Sequence, residues 1–371
     1  MEWTRIYIII SRHNMMRRLS TSSAQIASNK ELADIVHHFS PGIDYAFGYG
    51  SGVFRQAAVN TDSGNMIDII LAVDNPQIWH EHNLQQHTDH YSSIARLGGP
   101  RFISWVQTKF GARLYFHPFV NMNINNIGQR QLKYGIVSSD DMIRDLIHWD
   151  YLYLAGRMHK PIVNIELSPP SSNEKIKSRS RTNEIDDAQR TNLLSAVSAS
   201  LLLHSSNSYD EEQSSSISTS NLYNTIAGLS YSGDVRMQIG AEDPNKVNKL
   251  VKTPGMMERW DEKYLDTISN LQSMGLLSMA ARNSSSISTN LETNLSDIGI
   301  RKQLVQNLPL RLRNHSDLIG GSQGSLILRQ ELVKIVAPAA RSQSIKGFFT
   351  AGVVKSWRYA MAKFSKGVLR K

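Results

Sequence analysis

The sequence predicts an α+β protein in which one mixed sheet is followed by a mostly helical region. Two apolar runs of strand length, DYAFGY (44–49) and MIDIILAV (66–73), lie close together in the first half. Apolar residues at helical spacing dominate the second half, beginning with LLSAVSASLLL (193–203). These patterns place a sheet domain at 26–167, a helical domain at 185–300 and a C-terminal region at 301–371.

Turn and capping signals delimit the remaining elements of the first domain. Two more strands are expected at RLYFHPFV (113–120) and QLKYGIV (131–137). Three helices are expected to begin at Pro76 behind Asp74 and Asn75, at Pro100, and at Ser139 with an end near Arg157. The first domain therefore combines four strands with three helices.

The second half alternates helices with polar segments. SPPSSNEKIKSRSRTNE (168–184) is expected to be a loose linker, and the Ser-rich stretch at 205–220 a mobile, low-complexity segment. Helices are predicted at 221–231, 255–277 and 322–337. No internal repeat is evident, so the helical region is expected to be a small second domain.

Composition excludes several classes of protein. No cysteine occurs among the 371 residues, which excludes a disulfide framework, a thiolate nucleophile and cysteine-ligated metal centres. The net charge of +9 lies at the ends: residues 341–371 carry eight basic residues and no acid, and residues 1–23 carry four arginines against one glutamate. The body between them is near neutral, at −2, so no nucleic acid is expected as a partner.

The N-terminal stretch predicts a mitochondrial transit peptide over residues 1–25. It is rich in arginine, serine and threonine and holds one acid, which is not the composition of a secretory signal. A basic tail without a targeting role is the alternative.

The C-terminal stretch predicts a basic amphipathic helix that binds an anionic membrane. Apolar residues recur every three or four positions up to Val368, while the basic residues fall mostly off that stripe. The residues assigned to the membrane contact are Phe349, Lys355, Trp357, Arg358 and Phe364. The alternative is a helix packed on the core with its basic face in solvent.

The turn after the first strand, GYGSG (48–52), is the first candidate for ligand binding. Closely spaced glycines allow the backbone to approach a phosphate, and a tight strand-to-helix turn without a ligand is the alternative. Position 53 is valine, which departs from the dinucleotide-binding fingerprint, and the GK[ST] ending of a Walker loop is absent. The histidines at 80, 82, 87 and 90 do not share one helix face, so core or solvated side chains explain them better than a zinc site.

Asp68 is the most informative residue for chemistry, because it lies inside an otherwise apolar strand. Burying a lone carboxylate is unfavourable unless it is paired or bound to a metal. A strand that ends in Gly-Ser, followed by a strand with a carboxylate, is typical of nucleotidyltransferases: the turn holds a triphosphate and the carboxylate holds magnesium. Gly50, Ser51 and Gly52 are therefore assigned to triphosphate binding and Asp68 to the metal. An ion-paired or strand-end aspartate is the alternative.

One position departs from the nucleotidyltransferase pattern. The usual second carboxylate, two residues on, is Ile70 here. Asp74 points to the same face but lies six residues away, about 20 Å along an extended strand. Asp234, in YSGDVRM, is the candidate for the missing metal ligand.

Six segments, in order along the chain, resemble those of one known family. They are FGYGSGVFRQ, IDIILAVDNPQIWHEHNL, KYGIVS, LYLAGRMHKPI, IAGLSYSGDVRMQIGAED and KGFFTAG. The family is the mitochondrial CDP-diacylglycerol synthases of the peripheral type, also described as translocator assembly and maintenance proteins. The resemblance implies a nucleotidyltransferase domain, a winged-helix-like domain and a membrane-binding C-terminal helix. It also implies transfer of CMP from CTP to phosphatidate with Mg²⁺, at the matrix face of the mitochondrial inner membrane, for cardiolipin synthesis.

The same resemblance adds residues to the candidate site. Tyr91, Lys133, Asp234 and Arg236 would line the CTP site beside the Gly-Ser turn. Lys133 lies in an apolar strand, where a cation suits phosphate binding, and a surface lysine is the alternative. Ser51, Asp68 and Lys133 form the expected catalytic set.

Two other functions stay open. A nucleotidyltransferase could act on RNA or protein, although the near-neutral body disfavours RNA. The chain could instead be a non-catalytic peripheral factor that maintains a mitochondrial translocase, although such a protein has no need of a carboxylate in an apolar strand.

Overall fold

The computed structural model describes residues 23–54, 66–124, 128–167, 174–204, 215–238, 243, 245–280, 290–315, 318–319 and 323–351. The strands are β1 (Ile43–Tyr49), β2 (Ile67–Val73), β3 (Tyr115–Ile124), β4 (Gly128–Ser138), β5 (Val163–Asn164), β6 (Ser215–Ser218), β7 (Ser278–Met279) and β8 (Asn290–Thr293). The helices are α1 (Ser23–Val36), α2 (Pro76–Gln86), α3 (Ser93–Lys109), α4 (Ser139–His148), α5 (Leu154–Met158), α6 (Glu174–His204), α7 (Thr219–Leu229), α8 (Val235–Gln238), α9 (Lys246–Lys252), α10 (Met256–Ser273), α11 (Ile298–Gln306), α12 (Leu310–Arg313) and α13 (Gln323–Ala351). The predicted α+β class is confirmed.

A five-stranded mixed sheet forms the first half, in the order β3-β4-β2-β1-β5. Strands β2 and β4 are parallel, and the other neighbours are antiparallel. The register sets Asp68 on β2 between Tyr49 on β1 and Lys133 on β4. Three polar side chains therefore form one row across the three central strands.

Strand β2 is covered on both faces, which explains its nearly continuous apolar sequence. Alternate residues from Ile67 to Val73 pack against α1, while Ile70 and Ala72 join a core that extends into the helical half. Asp68 is the one residue of β2 that is only partly buried. The carboxylate thus lies where the core ends and a cavity begins.

The predicted helix from Ser139 to about residue 157 is wrong in its length, because the chain divides it in two. Ser138 caps α4, since its hydroxyl accepts a hydrogen bond from the backbone N–H of Asp141. The helix ends where Trp149 adopts a left-handed φ of 53°. The buried carboxylate of Asp145 then accepts hydrogen bonds from five successive backbone N–H groups, those of residues 151–155. This carboxylate fixes the loop that leads into α5.

The helical half begins earlier than its composition indicates. The expected linker at 168–184 is wrong for residues 174–184, because α6 starts at Glu174. Beyond Arg181, the buried positions of the helix recur at Ile185, Ala188 and Asn192. Residues 179–184, before the first of these buried positions, are exposed or half-buried, so this part of α6 is polar in sequence.

A small antiparallel sheet, in the order β6-β8-β7, accompanies the helices. The expectation of a mobile segment at 205–220 is wrong for residues 215–220, because they form β6 and the beginning of α7. Residues 205–214 lie outside the described residues. The winged-helix-like domain stays a prediction. One hydrophobic core joins the two halves, from Phe47 on β1 through Trp149 to Leu328 on α13.

Helix α13 is much longer than the helix predicted at 322–337, and it packs on the beginning of β3. Phe349 lies in this helix, but its side chain is not among those described. Lys355, Trp357, Arg358 and Phe364 lie outside the described residues, as does the transit peptide up to residue 22. Among the described residues, no helix combines the length and the apolar character that a membrane crossing requires.

Candidate active site

A cavity of about 600 Å³ lies where one end of the sheet meets the helical half. Strands β1, β2 and β4 supply its floor, and α5, the turn before α8, α9 and α13 supply its walls. It brings together most of the residues that the sequence assigned to function, which are Gly50, Ser51, Asp68, Lys133, Asp234 and Arg236. The candidate site is therefore built from both halves of the chain.

The turn after β1 combines a cavity-facing part with a tightly packed part. Gly50 has a φ of +79°, and its carbonyl accepts hydrogen bonds from the N–H groups of Val53 and Phe54. Gly50 and Ser51 line the cavity. A Cβ at Gly52, by contrast, would lie 2.2 Å from the carbonyl oxygen of Met66. Close backbone packing therefore explains Gly52 without any ligand, and its assignment to triphosphate binding stays a prediction.

In the row across the sheet, Asp68 contacts both of its neighbours, Lys133 and Tyr49. Asp68 Oδ1 lies 3.3 Å from the ammonium nitrogen of Lys133 and accepts a hydrogen bond of 3.2 Å from the hydroxyl of Tyr49. The Lys133 ammonium also lies 5.0 Å from the centroid of the Phe116 ring. These contacts hold a carboxylate and a cation side by side at the cavity floor, with both side chains about one-fifth exposed. They satisfy the requirement that a carboxylate in an apolar strand be paired.

Two further cations, Arg157 and Lys160, were missed in the sequence. Arg157 lies over the ring of Tyr49, with its guanidinium carbon 4.1 Å from the ring centroid. Burial opposes its charge, but Tyr49, Tyr153 and Asp68 together raise the pKa of the guanidinium. Lys160 donates hydrogen bonds to the carbonyl of Gly156 and the hydroxyl of Ser230.

Burial, followed by the charges of Arg157 and Lys246, lowers the pKa of the Lys160 ammonium well below its usual value. Such a group gains strongly from a nearby anion, because an anion offsets both the desolvation and the repulsion. The spacing of Arg157 and Lys160 by three residues, which places both side chains on one face of a helical turn, was the available sequence signal.

Asp234 and Arg236 form a closed pair at the wall of the cavity. The Arg236 guanidinium donates to both carboxylate oxygens, with the shortest contact at 2.6 Å, and the Arg236 backbone N–H donates to Oδ1 as well. Asp234 is 2% exposed, whereas Arg236 is about one-third exposed. In this structure the carboxylate positions the arginine, so the metal-binding role assigned to Asp234 would require this pair to open.

The structure does not bring Tyr91 to the cavity. Its hydroxyl contacts His80 and Asn83 in a buried cluster on the opposite face of the sheet from Asp68. Burial lowers the pKa of His80 to about 4, so this histidine is neutral at physiological pH. Tyr134 belongs to the same network. The role of Tyr91 in CTP binding stays a prediction that this geometry does not support.

The electrostatics of the cavity favour a polyanion. Six basic side chains line it against three carboxylates. The basic residues are Lys133, Arg157, Lys160, Arg236, Lys246 and Lys249, and the acids are Asp68, Asp234 and Asp243. No cluster of three or more metal-binding side chains exists within the described parts of the chain. Magnesium at a nucleotide site is commonly held by one or two carboxylates plus the phosphates themselves, and Asp68 fits that arrangement.

Several known proteins similar to this chain share one description. Residues 32–366 match the family model described as mitochondrial phosphatidate cytidylyltransferase. Proteins of that name from Schizosaccharomyces pombe and Xenopus laevis are 33% and 34% identical, over 92% and 90% of this chain and 84% and 93% of their own lengths. The Bos taurus protein is 35% identical over 92% of this chain and 95% of its own. The chain belongs to the mitochondrial phosphatidate cytidylyltransferase family.

Proposed function

We propose that this protein transfers CMP from CTP to phosphatidate, giving CDP-diacylglycerol and pyrophosphate. The observation that carries the proposal is the paired Asp68 and Lys133 on the floor of a cationic cavity that Ser51 also lines. Family membership supplies the substrates by name, since the relatives are called phosphatidate cytidylyltransferases.

The nucleotide is proposed to bind at the sheet end of the cavity. The exposed turn at Gly50 and Ser51 can bring backbone N–H groups and a hydroxyl to the triphosphate. Lys133 and Arg236 would supply cations on either side of it. Asp68 is the candidate ligand for Mg²⁺, which when bound would offset the charge that develops on the leaving pyrophosphate.

The phosphatidate headgroup is proposed to bind at the helical end. Lys160, Lys246 and Lys249 line that part of the cavity and provide positive charge for a phosphomonoester. Apolar side chains of α9, α10 and α13 continue the wall beside them, and these are Leu250, Met256, Val336, Ala339 and Ala340. A charged group next to an apolar wall suits a lipid whose acyl chains stay in the bilayer.

The reaction needs little proton transfer. A phosphate oxygen of phosphatidate attacks the α-phosphorus of CTP, and the bond from that phosphorus to the bridging oxygen of the β-phosphate breaks as pyrophosphate leaves. The attacking oxygen is already ionised at neutral pH, so no strong general base is required. The side chains therefore act by positioning the two anions and by neutralising charge.

The location is proposed from the relatives and from the two ends of the sequence. The relatives are mitochondrial by name, and the C-terminal stretch has the basic, aromatic pattern of a membrane-binding helix. Together with the predicted transit peptide, this supports peripheral association with the matrix side of the inner membrane, where the product would supply cardiolipin synthesis.

The decisive experiment measures the product directly. Purified protein is incubated with Mg²⁺, radiolabelled CTP and anionic vesicles that contain phosphatidate, beside Asp68→Asn and the control Asp74→Asn. Asp74 lies at the far end of the same strand, about 20 Å from Asp68. We expect labelled CDP-diacylglycerol from the wild type and from Asp74→Asn, and little from Asp68→Asn. A folded wild type that binds vesicles but makes no product would favour the non-catalytic membrane factor instead.

A further inference from the structure

Helix α3 and the residue that follows it expose three aromatic rings, of which the ring of Trp105 contacts the other two. Phe102, Trp105 and Phe110 are 38%, 49% and 45% exposed. The Trp105 ring lies 6.1 Å from that of Phe102 and 5.0 Å from that of Phe110, centroid to centroid. We call these three residues the α3 patch. A contiguous exposed aromatic surface of this kind marks an interaction site more often than isolated exposed side chains do.

The charged residues of helix α3 itself have one sign. Helix α3 contains no acidic residue, and its basic residues Arg96, Arg101 and Lys109 are all exposed. Tryptophan and phenylalanine beside basic residues are typical of segments that lie in the headgroup region of an anionic membrane. The C-terminal stretch of the chain has the same composition.

Helix α13 connects the α3 patch to that stretch. The Lys346 ammonium donates hydrogen bonds to the carbonyls of Gln107 and Phe110, at 3.0 and 2.9 Å. Gln343 accepts a hydrogen bond from the N–H of Ala112. From Lys346 to the end of the helix at Ala351 is about 7.5 Å. The part of the predicted membrane-binding stretch that is described, up to Ala351, therefore lies beside the patch.

The same helix reaches the candidate active site. Ala340 lines the cavity, and Lys346 follows six residues later, about 9 Å along the helix axis. If the α3 patch binds a bilayer, the cavity therefore lies a short distance from the lipid headgroups.

We propose that the α3 patch is a second membrane-binding surface, which inserts into the headgroup region of an anionic bilayer beside the C-terminal stretch. Binding by the patch does not depend on catalysis; only its use in delivering phosphatidate rests on the proposed function. Two membrane contacts on packed elements, the patch on α3 and the stretch at the end of α13, hold an enzyme in a fixed orientation, which a single terminal helix does not do.

The test uses the full chain and vesicle co-sedimentation. Vesicles of phosphatidylcholine alone are compared with vesicles that also contain an anionic phospholipid. The patch variant is Phe102→Ala with Trp105→Ala, and the matched control is Leu265→Ala with Met274→Ala, which removes side chains that are 44% and 50% exposed on the helical half. Thermal unfolding of each variant verifies that it is folded.

We expect the patch variant to bind anionic vesicles roughly tenfold or more weakly, and the control to bind as the wild type does. Charge reversal by Arg101→Glu with Lys109→Glu should weaken binding to the anionic vesicles and leave the small binding to neutral vesicles unchanged. Wild-type vesicle binding by a folded patch variant would overturn the proposal. So would a patch variant that loses only self-association in sedimentation velocity, because the patch would then be an interface between copies of the chain.

Turnover separates this proposal from the proposed function. With short-chain phosphatidate dissolved as monomers, the patch variant should transfer CMP at the wild-type rate, while with vesicles its rate should fall. A wild type without activity on either substrate refutes the proposed function, and the vesicle-binding result then still decides whether the patch binds membranes.

Discussion

Acidification is expected to destabilise this protein through two buried histidines, of which His159 is the clearer case. His159 follows α5, is fully buried, and places Nε2 2.9 Å from the Oδ1 of Asn192 on α6. Burial, followed by the charge of Lys160, lowers the pKa of His159 to about 3, against an ordinary value near 6.5 in the unfolded chain. Neutral His159 therefore joins the two halves beneath the cavity.

Acid destabilises the protein here because the unfolded chain binds more protons than the folded protein does. Between pH 7 and pH 5 the unfolded chain protonates this histidine and the folded protein does not, so the free energy of unfolding falls as the pH falls. For a shift from 6.5 to about 3, the loss between pH 7 and pH 5 is about 2 kcal/mol. His80, with a pKa lowered to about 4, adds a similar loss, giving about 4 kcal/mol in all.

Urea unfolding of the full chain at pH 7 and at pH 5 measures this loss. In His159→Gln, the side-chain amide can still donate to Asn192 but does not titrate, so we expect the loss to decrease to about 2 kcal/mol. The exposed His148, changed to Gln, is the control and should leave the full loss. If His159→Gln shows the same loss as the wild type, the protonation argument for this residue is refuted.

Four further outcomes are expected at the candidate site. Gly52→Ala should lower the free energy of unfolding by about 1–3 kcal/mol, measured by urea unfolding, because its Cβ would meet the Met66 carbonyl. Lys133→Met should lower kcat/KM for CTP by about a hundredfold, and urea unfolding should also show a loss of stability because Asp68 loses its ionic partner. Arg157→Gln should lower kcat/KM at least about tenfold, and wild-type kinetics would show that this guanidinium does not act on the substrates. Chelation by EDTA should abolish transfer and added Mg²⁺ should restore it, whereas activity in EDTA would exclude a metal requirement.

The central strands could be predicted because each is an apolar run with a clear end. Strand β1 and strand β2 begin and end within one residue of their predicted limits. Asp68 stood out for the same reason, since a carboxylate within such a run must be paired. The residue that pairs with it could not be found in this way, because the β2–β4 register that sets Lys133 beside Asp68 depends on strands 60 residues apart and not on local pattern.

The features that the sequence did not predict depend on contacts between distant parts of the chain. In the early part of α6, residues 179–184 are exposed or half-buried, so their polar sequence resembles that of a linker. Arg157 lies in the short helix α5, and Lys160 lies two residues beyond its end. The N–H groups of Leu154 and Ala155 fix the beginning of α5 by donating to Asp145, and no local pattern predicts that carboxylate's role. Gly52 was assigned to a ligand because a glycine that admits a phosphate and a glycine that admits a neighbouring carbonyl have the same sequence signature.

Helix α13 supplies hydrogen-bond partners to a segment that is synthesised much earlier. The N–H groups of Gly111 and Ala112 find their partners in Ser342 and Gln343, 231 residues later. Synthesis proceeds from the N-terminus, so the chain just before edge strand β3 is made long before α13, which supplies its partners. Edge strands left open in this way are sites of aggregation. The sheet therefore completes this edge only after synthesis has passed Gln343, and until then the beginning of β3 is open to pairing with other chains.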